Sequence, residues 1–220
     1  MTKQSAPINV QNVTPFNPAL LIKEMDLQFF ATSANKIKFG LKNVHYSVIT
    51  DTGTAVTYGT PVPIRGSVSI SISPNGELSE FHADDIVYWS AEINNGYDGD
   101  LEIADIPESF ATDVIGDTVK NGVQYESSEQ RGKKFALTFE INGDEHARRY
   151  VLYYCTATRP TIASNTKSST VEPVTSSLTF QARPHPYLYV IKANTTKDVA
   201  ENVFNAWNTT IHVPTTTETP

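Results

Sequence analysis

Apolar and polar residues alternate with a period of two through much of this chain, as they do in strands with one buried and one wet face. The clearest run lies between Gly66 and Phe110, where Ser67, Ser69, Ser71 and Ser73 interleave with Val68, Ile70 and Ile72. Ser73-Pro74-Asn75-Gly76 predicts a reversal, because Pro presets φ and Asn-Gly tolerates positive φ. A second strand through Leu78 and Phe81 and a third over Ile86-Val87-Tyr88-Trp89 follow. A turn over Asn94–Gly99 then leads into a fourth strand, Leu101-Glu102-Ile103, completing a predicted four-stranded meander. Pro107 opens a short helix to Ile115, with Gly116 just past its end.

Before that run, Ile37, Phe39 and Leu41 alternate, then Val44, Tyr46 and Val48, and the change of parity predicts a bulge near Lys42-Asn43. Asp51–Arg65 holds Gly53, Gly59, Pro61 and Pro63, which argues against a central strand. It reads either as a long loop that binds or covers something or as a plain hairpin tip. After the helix, Asn121-Gly122 is a turn, and Phe135, Leu137, Phe139 and Ile141 share one face of a strand. Asn142-Gly143 is the strongest hairpin signal in the chain. The return strand, His146–Ala157, is apolar on both faces: Tyr150, Leu152 and Tyr154 on one, Val151, Tyr153 and Cys155 on the other. It is buried on both sides, or on one side against another chain. Further strands are expected around Leu178-Thr179-Phe180, over Tyr187–Lys192 and at Ile211-His212-Val213. Val199, Val203, Phe204 and Trp207 give a helical period to Asn194–Asn208, with Asn194 or Thr195 as N-cap. Residues 1–34, broken by Pro7, Pro15 and Pro18, read as an arm or extension, with Met25 as a possible later start.

A chain of 220 residues suits one sizeable β domain, and 39% hydrophobic and 19% charged residues exclude a disordered one. The single Cys155 rules out an internal disulfide framework and fits assembly in a reducing cytosol. No run is long enough for a membrane helix, so no membrane anchor is expected, and no signal peptide is evident. The net charge is −7, and 17 of the 24 acids fall between Glu77 and Glu145, against Lys120, Arg131, Lys133 and Lys134 alone. This is either a solvated surface or one that must not adhere to a polyanion, and it argues against affinity for nucleic acid.

Chemical motifs are sparse. His45, His82, His146, His185 and His212 show no metal-ligand spacing, and no cofactor is expected. Asp84-Asp85 and Asp98-x-Asp100 are candidates to gather around Ca²⁺, but carboxylates beside turns are common and no EF-hand pattern is present. Neither a nucleophile elbow nor a phosphate loop occurs, so the chain does not read as an enzyme. Tyr88, Trp89, Tyr97, Tyr153 and Tyr154 fit a sugar platform, although aromatics on strands more often serve a core or an interface.

The segments KIKFGLKNVHYSVIT, TPVPIRGSVSISISPNGE, FHADDIVYW, NNGYDGDLEIADIPESF, FALTFEINGD and RRYVLYYCTATRP occur in this order. With VEPVTSSLTFQARP and DVAENVFNAWNTT they resemble the major tail proteins of long-tailed phages and prophages of Gram-positive bacteria. The resemblance covers about 35–214, and Asp105 departs from it where an apolar residue is expected. It implies a mainly β fold, a tail-tube-type β-sandwich or half-barrel with one or two short flanking helices. It also implies a structural virion protein whose hexameric rings stack into a tube that conducts DNA without binding it specifically. Four strands from each of six subunits, at ~4.8 Å spacing and a tilt near ~40°, would close at roughly 50 Å across. The partners so implied are further copies of the chain and other tail proteins such as the tape measure and terminator. The location is the virion tail, assembled in the host cytoplasm. On this reading Thr52, Gly53, Thr57, Tyr58, Pro61 and Pro63 form a ring-to-ring or subunit interface loop, and Glu77, Glu80, Glu92 and Glu102 are candidates to face the lumen. A carbohydrate-binding β-sandwich adhesion module is the alternative.

Overall fold

The computed structural model describes residues 40–142, 147–162, 164 and 174–214. The N-terminal arm expected over 1–34, the alternating Ile37 and Phe39, most of the expected Asn142-Gly143 turn with His146, most of the polar loop expected from the sequence over Ser164–Ser169, and the short C-terminal tail expected over 215–220 lie outside them. The fold is mainly β, with eleven strands among the described residues: β1 (Leu41–Asp51), β2 (Val56–Tyr58), β3 (Val62–Pro63), β4 (Ser67–Ala83), β5 (Ile86–Ile103), β6 (Thr118–Lys120), β7 (Val123–Tyr125), β8 (Phe135–Ile141), β9 (Arg148–Ala157), β10 (Ser176–Ala182) and β11 (Lys192–Asn194). One antiparallel sheet runs β2-β1-β8-β9-β10-β5-β4, with β3 added to β1 and β11 to β9, while β6 and β7 form a separate hairpin. A helical turn α1 (Glu108–Phe110) passes into a π-helical turn (Ala111–Ile115) that ends on Gly116 at φ 97°, as the Pro107 and Gly116 signals predict. Helix α2 (Glu201–Ala206) lies near the end of the described chain.

The sheet curls, because strands from both ends of its order contribute to one core. Val44 and Tyr46 of β1, Ile70 and Ile72 of β4, Leu101 and Ile103 of β5, and Leu178 and Phe180 of β10 all belong to the same apolar cluster. Phe110 fills its centre, edge-on to Tyr46 at 5.0 Å and to Phe135 at 5.4 Å. Ile64 donates its N–H to Val44 and Ala104 donates to Gly66, so the β3–β4 connection bridges the two ends of the curl.

A second, smaller cluster covers the opposite face of β9: Val151 and Tyr153 pack with Trp207, Val203 and Ile211. The apolar character of both β9 faces is thus answered inside the chain. The faces are not those that plain alternation predicts. Cys155 joins Leu152 in the main core while Val151 and Tyr153 face the other way, because the β8–β9 register shifts between Phe135 and Leu137. The bulge expected near Lys42-Asn43 is present, with Asn43 at φ 51°.

Four predictions from local signals fail for tertiary reasons. The meander is a single hairpin: β4 runs straight through Pro74-Asn75-Gly76, with Pro74 opposite Tyr97 and only a register shift. β4 ends the sheet order, and an edge strand tolerates the missing N–H of proline. The true reversal is Asp84-Asp85, both at positive φ (53° and 60°) as a two-residue type I′ turn requires. Asn94–Gly99 is a kink within β5, where Gly96 (φ 114°) passes so close to the Ala182 carbonyl that a Cβ would sit 2.0 Å from its oxygen. Second, Tyr187–Lys192 is mostly turn: the His185 imidazole accepts N–H bonds from Tyr187 and Leu188, and only Lys192–Asn194 pairs with β9. Third, the helix begins at Glu201 after Ala200, because Asn194 belongs to β11 and buried Thr195 exchanges hydrogen bonds with the Arg149 backbone. No strand forms at Ile211–Val213, where the His212 carbonyl instead accepts the Tyr153 hydroxyl at 2.8 Å.

Gly99 is the point where β5 lies tightest against a side chain of β10, since a Cβ there would lie 2.4 Å from the Phe180 ring. Gly99→Ala should cost about 1–3 kcal/mol by displacing that ring, lowering the thermal midpoint by roughly 3–10 °C. An unchanged midpoint in a calorimetric scan would refute this account of the β5–β10 contact.

Candidate interaction surface

The β4–β5 hairpin outgrows the sheet that carries it. β10 pairs with β5 only from Tyr97 to Ile103. Beyond Tyr97, among the described residues, β4 and β5 pair only with each other, as far as Ala83 opposite Ile86. At ~3.4 Å per residue this arm projects roughly 25 Å. Among the described residues, neither of its long edges has a further strand partner, and such edges present unpaired backbone groups.

The arm has two unlike faces. Glu77 pairs with Ile93, Ser79 with Ala91, Phe81 with Trp89 and Ala83 with Ile86, and directly opposed residues share a face. That face is therefore apolar and aromatic, with Glu77 at its inner end. Leu78 opposite Glu92, Glu80 opposite Ser90 and His82 opposite Val87 make the other face mostly polar. The register shift between Phe81 and His82 leaves Tyr88 as the extra residue of a bulge, 73% exposed. Phe81, Ile86, Trp89 and Ile93 are each at least half exposed in the single chain. Lone exposed apolar residues need no explanation, but a continuous row of them marks an interaction surface.

At the root of the arm the outer face is of another kind. Glu102 lies between Ser69 and Ser177, Asp100 between Ser71 and Thr179, and Asp98 between Ser73 and Gln181. The carboxylates are held mostly by neutral donors. Ser69 and Thr175 donate to Glu102 at 2.9 and 2.6 Å, Thr179 to Asp100 at 2.6 Å, and Asn75 to Asp98 at 2.7 Å. Arg183 reaches Asp98 at 3.4 Å. The hydroxyls of Thr175 and Ser69 hold the Glu102 carboxyl below the ordinary glutamate range. The face can therefore stay anionic while its acids are fixed in place.

The structure divides the residues singled out from sequence. Of the lumen candidates, Glu102 is on this root face, whereas Glu77, Glu80 and Glu92 are on the arm, with Glu77 on the face opposite to Glu80 and Glu92. Asp98 and Asp100 join Glu102 instead. The signal that points to them is the absence of any Lys or Arg between Arg65 and Lys120, a stretch with 12 acids. Asp51–Arg65 is not one long loop: β2 and β3 fold back along β1, and Ile64 is buried in the main core. Thr52, Gly53, Thr57 and Pro63 are exposed, while Pro61 is buried and Tyr58 packs in the cluster with Tyr153. Shortening the whole segment would therefore cut into the core, and only the tip at Thr52–Ala55 is free of it. Asp105 is exposed, and its carboxylate accepts the N–H of Ile106, which explains a polar residue there.

Asp84-Asp85 at the arm tip and Asp98 with Asp100 at its root are separated by most of the arm, so the two acid pairs do not gather. Among the described residues, no group of three or more His, Cys, Asp or Glu side chains is placed to hold a metal ion. No helix among them is long and apolar enough to cross a membrane. Cys155 is fully buried, and burial pushes its thiol far up, away from reactivity.

No protein-family model and no curated protein matches the chain. Among solved structures, the chain is similar to the anti-feeding prophage cap, described as the AFP tube terminating cap and determined by cryo-EM. The TM-score is 0.43 at 10% identity, over 76% of this chain and 98% of that one. A likeness at that level carries nothing about function.

The Glu102 environment makes a pH prediction. Its folded pKa lies below the unfolded value near 4.5, so its contribution to stability is present above that value and is lost as the pH falls through the folded pKa. Glu102→Gln should remove that part of the acid sensitivity, and Glu102 should titrate below 4.5 by carboxyl-detected NMR. A midpoint at or above 4.5 would contradict the bonding described.

Proposed function

We propose that the chain is a non-catalytic structural subunit of a phage tail tube, in which six copies close into a ring and rings stack into a conduit for DNA. The observation that carries this reading is the arm: a projecting hairpin with one aromatic face and two unpaired edges, which the described residues leave uncovered. Burial of such a face and pairing of such edges are what self-assembly supplies. The ordered resemblance of residues 35–214 to phage major tail proteins supports the same reading. The anionic face at the arm root suits a lumen, since fixed like charge repels DNA backbone and keeps it from adhering in transit. On this reading Glu102, Asp100 and Asp98 line the conduit, the partners are other copies and further tail components, and the protein resides in the virion tail after assembly in the host cytoplasm.

Exposed Tyr88 and Trp89 favour one other reading, a carbohydrate-binding module, which would work as a monomer. Concentration-dependent assembly separates the two. The purified full-length chain should form rings or tubes by negative-stain microscopy, and Trp89→Ser should keep its melting temperature while losing them. A chain that stays monomeric by light scattering at all concentrations and salts, and binds a glycan through Trp89, would establish the alternative and defeat the tube.

A further inference from the structure

The ends of the sheet carry complementary surfaces. A cross-strand row sets the frame: Tyr97 opposes Ala182, Ala182 opposes Cys155, Cys155 opposes Phe135, and Phe135 opposes Val48. The arm leaves this row on one side. On the other side β5 runs down to Ile103 and α1, and β1 runs on to Asp51. The segment that enters β8 lies on that same side, because Ile49 donates to the Lys134 carbonyl and Lys133 donates to that of Val114. The β6–β7 hairpin and residues 126–134 therefore stand at the end of the described sheet opposite the arm.

That end carries what the arm lacks. Lys120 pairs with Val123 and Thr118 with Tyr125, so one face of the β6–β7 hairpin presents Lys120, Val123 and Tyr125 together. Val123 and Tyr125 are about half exposed. Arg131 and Lys133 are exposed nearby, and among the described residues no ion pair involves Lys120, Arg131 or Lys133. Of the acids in this region, Glu126 and Asp117 face Arg159, leaving Glu129. The arm is the inverse: aromatic, with Glu77 on its apolar face, Asp84 and Asp85 at its tip, and no Lys or Arg.

We infer that the arm of one copy docks, through Phe81, Trp89 and the Asp84-Asp85 tip, on the β6–β7 hairpin of a second copy, with Lys120, Arg131 and Lys133 receiving its acids. The inference rests on the self-assembly proposed above and specifies which surfaces meet. Contact between opposite ends is heterologous, so it repeats from copy to copy instead of closing as a two-fold dimer. Exposed ion pairs contribute modestly and fix register and partner choice, while the aromatic face supplies most of the burial.

The test is a cysteine pair in the full-length chain, where buried Cys155 gives no background. Ala83→Cys in one preparation and Val123→Cys in another, mixed under assembling conditions and mildly oxidised, should give a disulfide-linked dimer that neither forms alone. The double variant A83C/V123C should give a ladder of covalent oligomers. Lys120→Glu with Lys133→Glu should leave the melting curve unchanged and raise the concentration needed for assembly roughly tenfold. Asp84→Asn with Asp85→Gly, which preserves the type I′ turn, should raise it in the same direction. Assemblies that form normally without the A83C–V123C link, or at unchanged concentration in K120E/K133E, would overturn this contact and leave the tube reading standing. A full-length chain that never assembles would defeat both.

Discussion

Three residue pairs join the two halves of this sheet. Phe180 opposes Ala157, Gln181 opposes Thr156 and Ala182 opposes Cys155, and through them β10 joins β4 and β5 to β1, β8 and β9. The joint is strong because β10 alternates cleanly, with Leu178, Phe180 and Ala182 fully buried and Ser177, Thr179 and Gln181 exposed. Phe180 also needs the absent side chain of Gly99. β10 then stops: Arg183 donates a last bond to Tyr154, Pro184 has no N–H to offer, and the His185 imidazole organises a turn. β5 has no such stop, so it and β4 continue without a neighbour. The arm exists because one strand ends while its partner does not.

The distribution of charge follows the same division. The stretch from Arg65 to Lys120, which builds β4, β5 and α1, holds no Lys or Arg between those two residues. Its acids at the arm root are held mostly by neutral donors, with Ser69 and Thr175 on Glu102, Thr179 on Asp100 and Asn75 on Asp98, whereas those on the arm are exposed. Hydroxyl donors stabilise a carboxylate without cancelling its charge, as a lysine or arginine would. In a ring, such a root face would present a fixed negative lining, and the unlike faces of the arm would be sorted between a partner subunit and solvent.

The back of the sheet is secured by different means. Arg149 lies 3.7 Å from the centre of the Phe204 ring, donates to the Phe204 carbonyl, and binds Glu140 at 3.0 Å. Asn43 gives Glu140 a further bond, so this nearly buried ion pair is not left short of partners. With Trp207 donating to the Tyr150 carbonyl, these contacts dock α2 on β9. β9 is thereby buried on both faces, and its apolar face is not available to another chain.

Period-two alternation in the sequence revealed β1, β8, β9 and β10, and the Pro107 and Gly116 punctuation revealed the α1 turn. These patterns are local, and burial rewards them wherever the strands finally pair. The acid excess was equally legible, since composition needs no coordinates. What the sequence could not show is which turn signal would win. Pro74-Asn75-Gly76 is a strong reversal motif, but β4 lies at the sheet edge and pairs along its whole length with β5, and that ladder outweighs a local preference. Asp84-Asp85, a weaker motif, reverses the chain because the register brings Ala83 opposite Ile86. Strand pairing also decided that Glu102 would stand with Asp98 and Asp100 while Glu77, Glu80 and Glu92 went to the arm, because facing and neighbourhood in a sheet are set by register. Sequence alone determined that the chain is a β protein with an anionic middle. Tertiary structure decided that this middle is one projecting hairpin, since only the place where β10 ends determines where β5 is left unpaired.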